Sequence, residues 1–244
     1  MLKKIIVSLL LSGSLFASTI SIAVSANVSY AIKALTKEFN KLHPDIKVRV
    51  TLGGSGKLVA QIRHHAPFGL FMSANMLYPE ALYKDGIAIT KPRVYAQGSL
   101  AYLSRKKQDF SKGMKLLEDE KIRKIAVANP KTAPYGKATI EALKNAGVYK
   151  QIKKKFVYSE SISQTVSYTL MATDIGFIAK SSLYSSTMDK FKRGENWVEV
   201  EPSLYTPIKQ GIVVLKEDRN IKFFYDFIFS TKAKEIFKNF GYLI

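Results

Sequence analysis

The sequence predicts an α/β fold, in which short strands alternate with helices along the chain. Apolar runs rich in β-favouring residues are repeatedly followed by segments with apolar residues at helical spacing. No internal repeat, low-complexity tract or Pro/Gly-rich linker interrupts this order. With 244 residues, 47% of them hydrophobic, the chain can build one large domain or two small ones.

The first element is an apolar N-terminal stretch typical of a secretory signal peptide. A basic start precedes the apolar residues 5–16, and the small residue Ala17 follows them. We expect residues 1–17 to be a signal peptide that is cleaved after Ala17. Leu15 stands where a small residue is preferred, so an uncleaved anchor stays open as an alternative. A lipoprotein anchor is excluded because the chain has no cysteine.

Two units of strand, loop and helix follow. In each unit, a strand ends in a loop of small residues and a helix begins after the loop. The first unit has its strand at residues 20–24, its loop at 25–29 and its helix at 30–39. The second has its strand at residues 47–52, its glycine-rich loop at 53–56 and a helix beginning over 58–62.

A third unit of the same kind lies at residues 124–143. Its apolar strand breaks at Asn129 and Pro130, and a loop at residues 133–136 leads into an amphipathic helix. The first N–H groups of a helix have no partner within the helix and can hold an anion. Three loops of this type predict one shared anion site.

The remaining predicted elements continue the alternation. The strands are residues 68–74, 100–104, 174–179 and 208–215. The helices are residues 79–84, a start over 111–118, and the apolar-striped segments 222–229 and 232–240.

The formal net charge of +19 would normally favour binding to nucleic acid or to a membrane surface. The predicted export argues against nucleic acid. The basic residues are also spread thinly, with the densest run at residues 150–155. We interpret that run as a solvated helix face. Attraction of anions by the overall field and docking on an acidic partner stay open.

The sequence lacks motifs for catalysis and for metal binding. It has no cysteine, and its three histidines, His43, His64 and His65, have no carboxylate cluster beside them. We place the histidine pair at a helix end, where a positive charge is favourable. No G-x-S-x-G elbow occurs, and residues 53–57 lack the spacing of a phosphate loop. The sequence therefore predicts no enzyme, no cofactor and no site for a free metal cation.

Several stretches together resemble one family in their order and spacing. They are SIAVSANVSYAI, GGSGKLVAQIRHHAPFGLFMSAN, VANPKTAPYGKATIEAL, SESISQTV, DIGFIA and YTPIKQGIVV. In these the chain resembles the ModA family, the periplasmic molybdate/tungstate-binding proteins of ABC importers. The resemblance implies a type II periplasmic binding protein fold, with two α/β domains joined by a hinge around a central cleft. Domain I would comprise residues 18–98 plus 204–244, and domain II residues 99–203.

The resemblance also implies the ligand-binding residues. Asn27 corresponds to a polar residue of the first loop, and Ser55 to the serine of the second loop. On the other domain, Tyr135 corresponds to the position at the third helix opening, and Ile162 to a residue that donates through its backbone N–H alone. Many members carry a tyrosine where this chain has Ala179, which fits a subgroup whose phenol comes from the A-P-Y-G loop. Some relatives have a threonine where this chain has Ala26.

From the residues alone, simpler roles stay open. Asn27 and Ser55 would then be local helix caps. Tyr135 would be a surface turn residue, and Ile162 an ordinary buried aliphatic residue.

The function that the resemblance implies is capture of molybdate or tungstate in the periplasm. The monomeric protein would deliver the ion to an inner-membrane permease and its ATPase, with no role for nucleic acid and with the metal bound only as its oxyanion. Three alternatives remain: a binding protein for sulfate or thiosulfate, the effector-binding domain of a transcription regulator, and a secreted enzyme that uses Tyr135 or Ser55.

Overall fold

The computed structural model describes residues 18–244, and the predicted signal peptide lies outside these residues. The described chain forms two five-stranded sheets, each covered by helices. This architecture confirms the predicted α/β fold class with two α/β units. In the described part of the chain, no helix is both long enough and apolar enough to cross a membrane.

The first sheet has the strand order β2-β1-β3-β10-β4. Strand β1 runs parallel to β2 and β3, whereas β10 runs antiparallel to β3 and β4. Its strands are β1 (Ser18–Ser25), β2 (Ile46–Gly53), β3 (Leu70–Met72), β4 (Arg93–Gly98) and β10 (Ile208–Val214). Its helices are α1 (Ser29–Leu42), α2 (Ser55–Arg63), α3 (Leu77–Lys84), α7 (Arg219–Ile228) and α8 (Thr231–Asn239).

The second sheet has the strand order β7-β6-β8-β5-β9. Strand β6 is parallel to β7 and β8, and β5 is antiparallel to β8 and β9. Its strands are β5 (Leu100–Leu103), β6 (Ile125–Ala128), β7 (Phe156–Ser159), β8 (Ile175–Ala179) and β9 (Trp197–Glu199). Its helices are α4 (Pro134–Asn145), α5 (Tyr149–Ile152) and α6 (Ile162–Met171).

Each sheet has its own hydrophobic core. In the first, Phe39 of α1 packs edge-on against Phe224 of α7, with ring centroids 5.0 Å apart. In the second, Tyr102 stacks on Phe177, with ring centroids 5.7 Å apart. The apolar spacing along these helices and strands places the aromatic side chains inside, which is why the sequence pattern predicts these elements.

The chain changes sheets twice. Strand β4 ends at Gly98 and β5 begins at Leu100, so Ser99 alone separates the two sheets at the first crossing. The return lies between β9 and β10. All strands of the first sheet fall within the predicted domain I and all strands of the second within the predicted domain II. The domain bounds themselves stay a prediction.

Some elements differ from the sequence prediction. Strands β4, β7 and β9 and helix α6 were not among the predicted elements. Helix α5 and the 3₁₀ turn that follows it, Lys153–Lys155, cover the basic run at residues 150–155, and the exposure of Lys150, Lys153 and Lys154 agrees with its interpretation as a solvated helix face.

Residues 111–118, predicted as the start of a helix, belong to a 3₁₀ segment, Phe110–Glu118, that breaks at Gly113 with φ at 56°. Glycine tolerates this left-handed backbone and ends the regular helix there.

Candidate anion-binding site

The predicted anion loops meet at one small cavity between the two sheets. Its lining consists of residues 25–27, 53–55 and Ala74 from the first sheet's side, and residues 133–135 and Ile162 from the second sheet's side. The centre of a water molecule can occupy a volume of about 10 Å³ in this cavity. This is roughly the space that one water molecule needs. The cavity therefore suits a ligand of a few atoms rather than a sugar or a peptide.

Three helices begin at this cavity, namely α2, α4 and α6. No side-chain cap forms at Gly54 or Ala133, which precede α2 and α4. The N–H of Gly56 donates to the carbonyl of Thr132 and Pro134 has no N–H, but the other first N–H groups of these two helices keep their capacity to bind a ligand, and the partial positive charge of each helix start adds to it. The geometry favours an anion at the point where the three helix starts meet.

None of the side chains that line the cavity is charged. Lys57, which lies two residues after Ser55, instead pairs with Glu160 of the opposite domain at 3.2 Å. Both side chains of this ion pair are mostly exposed, at 60% and 74%. An anion in the cavity would be held by neutral donors and helix starts, without a countercharge in contact.

Ser55 is held by a hydrogen-bond network rather than used as a cap. Its Oγ lies 2.6 Å from Ser25 Oγ, and the backbone N–H of Ala74 donates to both oxygens, at 3.1 and 3.0 Å. The local-cap interpretation of Ser55 is therefore wrong. The two hydroxyls share one hydrogen bond, so one of their two protons remains free to bond a ligand.

Asn27 is buried and its side chain does not cap a helix. Its Nδ2 donates to Gln210 Oε1 at 2.8 Å and to the Tyr242 hydroxyl at 3.2 Å. Its Oδ1 is buried without a hydrogen-bond partner among residues 18–244. Both side-chain donors of Asn27 thus serve the protein, and the donor that it can offer an anion in this arrangement is its backbone N–H.

Tyr135 is 1% exposed, so the surface-turn interpretation is wrong. It follows Pro134, the first residue of α4, and its hydroxyl accepts a hydrogen bond from Gln210 Nε2 at 3.3 Å. Burial raises the pKa of Tyr135 well above the ordinary value for tyrosine, and the nearby phenols of Tyr242 and Tyr95 raise it further. The hydroxyl therefore stays protonated at neutral pH and can act as a donor.

Ile162 opens helix α6 and is 5% exposed. The preceding Ser161 caps the helix by accepting from the N–H of Gln164. Within the described part of the chain, the N–H of Ile162 has no hydrogen-bond partner. The four predicted site residues, Asn27, Ser55, Tyr135 and Ile162, thus all line the same cavity. Their roles in binding stay a prediction.

The sequence prediction did not include the residues that support this site. Gln210 and Tyr242 contact Asn27, and Ser25 contacts Ser55. One signal for Gln210 is visible in the sequence, because this uncharged polar residue stands between Ile208 and Ile212, at a position of β10 where alternation predicts an apolar residue.

The two domains touch across the cavity. The N–H of Gly56 donates to the carbonyl of Thr132 at 2.9 Å, and Ser181 Oγ donates to the carbonyl of Asn27 at 3.0 Å. A Cβ at Gly56 would lie 3.1 Å from Thr132 Cα and 2.8 Å from the Tyr78 hydroxyl. Glycine at this position allows the two backbones to approach this closely.

The described residues contain no group of three His, Cys, Asp or Glu side chains placed to hold a metal ion. The chemistry that the cavity offers is hydrogen-bond donation from backbone and hydroxyl groups. Such a donor set suits an oxyanion and differs from the ligands that free transition-metal cations prefer.

Comparison with known proteins agrees with this geometry. Residues 20–243 match the family model described as bacterial extracellular solute-binding protein. The molybdate-binding protein ModA of Azotobacter vinelandii is 32% identical over 249 residues, covering 99% of this chain and 97% of the relative. ModA of Rhodobacter capsulatus is 35% identical, covering 91% of this chain and 86% of the relative.

A solved structure shows the same fold. The periplasmic molybdate-binding protein of Azotobacter vinelandii superposes with a TM-score of 0.85 at 28% identity, covering 92% of this chain and 99% of that one. The relatives are named as binding proteins, in accord with the expectation that the chain is not an enzyme. The chain belongs to the bacterial extracellular solute-binding protein family and, within it, to the ModA proteins.

Proposed function

We propose that the protein captures molybdate or tungstate between its two domains and delivers the ion to an ABC importer. The observation that carries this proposal is the convergence of three helix starts and neutral donors on one small cavity whose lining has no charged side chain. Each charge-assisted hydrogen bond to a dianion contributes roughly 1.5–3 kcal/mol. Several such donors retain the ion without a fixed countercharge, which also permits its release.

The choice of molybdate and tungstate rests on the family and on size. The relatives at 32% and 35% identity are both named molybdate-binding proteins. Sulfur–oxygen bonds are shorter than those of molybdate, and fixed donors in a rigid cavity cannot all reach a smaller ion. Molybdate and tungstate are nearly equal in size, so we propose that both bind.

The place of action that we propose is the periplasm. Residues 1–17 would act as a cleaved signal peptide for export. The exported protein would be a monomer, and it would pass the ion to a membrane permease with its ATPase. The net charge of +19, of which only Lys3 and Lys4 would leave with residues 1–17, supports a further contribution, since a positive overall field attracts dianions before they reach the cavity.

Calorimetric titration of the protein recovered from the periplasm tests the ligand. Molybdate, tungstate and sulfate are titrated in parallel under the same buffer and salt conditions. We expect micromolar or tighter binding of the first two and no heat from sulfate. Tight sulfate or thiosulfate binding would favour the alternative oxyanion, and no oxyanion binding at all would overturn the proposal.

Mass spectrometry of the same preparation tests export. Cleavage after Ala17 gives a chain that begins at Ser18, and we expect that mass in the periplasmic fraction. A full-length chain that stays in the cytoplasm would contradict the proposed location and would favour an intracellular effector-binding role.

A further inference from the structure

Gln210 is a fully buried amide whose orientation is fixed by its neighbours. Its exposed fraction is zero. Its Oε1 accepts two hydrogen bonds, from Tyr95 Oη at 2.7 Å and from Asn27 Nδ2 at 2.8 Å. With both lone pairs of the oxygen used, the nitrogen of the amide has to face the remaining neighbour, Tyr135, to which it donates at 3.3 Å.

This orientation decides where the Tyr135 proton can point. A hydroxyl oxygen that accepts from Nε2 cannot direct its own hydrogen at the same nitrogen. The hydrogen of Tyr135 is therefore available to the cavity that this residue lines. If the amide of Gln210 were reversed, the Tyr135 hydroxyl would donate to Oε1, and the cavity would lose that donor.

The Tyr135 hydroxyl matters more because the side chain of Asn27 has no donor left for the cavity. Both of its Nδ2 hydrogens are used, on Gln210 and on Tyr242, and its unpaired Oδ1 cannot donate to an anion. The side-chain donors left for the cavity are then the free serine proton of the Ser25–Ser55 pair and the hydroxyl of Tyr135.

We propose that Gln210 is a positioning residue that directs the Tyr135 hydroxyl proton toward the bound oxyanion. The inference rests on the proposed function, because it assigns a role toward the same ligand. Gln210 lies in β10 of the first sheet, and Tyr135 is the second residue of α4 beside the second sheet. A side-chain amide of the first domain thus aligns the Tyr135 hydroxyl, which belongs to the second domain.

A double-mutant cycle tests the proposal. Molybdate is titrated calorimetrically into the wild-type protein, Gln210→Met, Tyr135→Phe and the double variant. We expect Gln210→Met to weaken binding about tenfold in the wild-type background and less than about twofold in the Tyr135→Phe background, because the two residues act through one hydroxyl. An equal loss in both backgrounds, or no loss in either, overturns the positioning role.

Two further variants separate positioning from structural damage. Gln210→Glu fills the same volume, but its carboxylate accepts the Tyr135 proton, and we expect a loss at least as large as that of Tyr135→Phe. Gln97→Met is the matched control, because Gln97 lies one strand away and pairs with Lys209 rather than with Gln210. We expect wild-type affinity for this control. Wild-type affinity of Gln210→Glu would also overturn the proposal.

The same series distinguishes the two proposals. If the wild-type protein gives no heat with molybdate, the proposed function fails and the role of Gln210 fails with it. If the wild type binds molybdate and the cycle shows no coupling, the proposed function stands and only the role of Gln210 is overturned.

Discussion

The phenolic oxygen of Tyr135 lies directly over Gly98, so that a Cβ atom at residue 98 would overlap it. Gly98 is the last residue of β4, immediately before the chain crosses to the second sheet. The same Cβ would lie 2.7 Å from Gln210 Nε2. The space in which the Tyr135 hydroxyl and its amide partner meet therefore exists only because residue 98 has no side chain.

Replacing Gly98 by alanine should displace the Tyr135 hydroxyl. Overpacking of this kind costs about 1–3 kcal/mol, and we expect Gly98→Ala to weaken molybdate binding by roughly tenfold or more in calorimetric titration. Gly69→Ala is the matched control, because its new methyl group would overlap Ile221 in the core of the first sheet. The control should lose stability but keep its affinity. Equal affinities for Gly98→Ala and wild type would contradict this account.

Removing the Tyr135 hydroxyl should weaken binding without unfolding the protein. Loss of one charge-assisted hydrogen bond costs roughly 1.5–3 kcal/mol, which is about a tenfold to a hundredfold increase in Kd. Tyr102→Phe removes a comparably buried hydroxyl from the second core, and it should leave the Kd unchanged. Calorimetric titration with molybdate measures the Kd of both variants. An unchanged Kd for Tyr135→Phe would show that this hydroxyl does not bind the ion.

Lys57 should contribute little to affinity despite its place in the glycine-rich loop region. Its ion pair with Glu160 is exposed, and such pairs are worth about 0–1 kcal/mol. We therefore expect Lys57→Ala to change the Kd for molybdate by less than about fivefold, with a smaller effect at high salt. Complete loss of binding in Lys57→Ala, together with normal binding in Tyr135→Phe, would show that a cation rather than neutral donors holds the ion.

Closure of the two domains should depend on Gly56. The methyl group of Gly56→Ala would press on Thr132 and on the Tyr78 hydroxyl, at the distances given above, and would hold the domains apart. Small-angle scattering should show wild-type protein becoming more compact on addition of molybdate, whereas the variant keeps its ligand-free profile and binds about tenfold more weakly. An unchanged wild-type profile would contradict domain closure itself.

Stability should fall in alkaline solution because of buried phenols. Burial raises the pKa of Tyr95, Tyr135 and Tyr242 above the ordinary value for tyrosine, which is about 10. Below that pH the phenols are neutral in both states, so their contribution is fully present. Above it the unfolded chain ionises while the folded chain keeps its protons, and the free energy of unfolding decreases.

Urea denaturation at a series of pH values measures this effect. The free energy of unfolding should decrease above pH 10 or so, by up to about 1.4 kcal/mol per pH unit for each such tyrosine. Tyr95→Phe should have a shallower decrease than wild type. Parallel decreases in the two proteins would show that Tyr95 does not contribute.

The sequence predicted the three loops that repeat one pattern, and the structure brings all three to one cavity. The start of α6 also lines this cavity, but only the family resemblance predicted it, through Ile162. That helix is rich in serine and threonine, so it lacks the contrast between apolar and polar faces on which the prediction of helices depends.

The burial of Tyr135 could not be read from its own surroundings in the sequence. Its environment is made by Gly98 and Gln210, which come from distant strands. The loop sequence around Tyr135 therefore indicated a surface turn residue, whereas contacts with distant strands bury it in the core. The same holds for Asn27, whose side-chain partners follow it by 183 and 215 residues.

The hydrogen bonds between Asn27 and Tyr242 also bear on the order of folding. Tyr242 Oη donates to the carbonyl of Asn27 at 2.8 Å and accepts from its Nδ2. Contacts of such long sequence separation are slow to form because a large loop must close first. The first loop of the site therefore lacks two of its native hydrogen bonds until Tyr242, 215 residues further along the chain, has reached it.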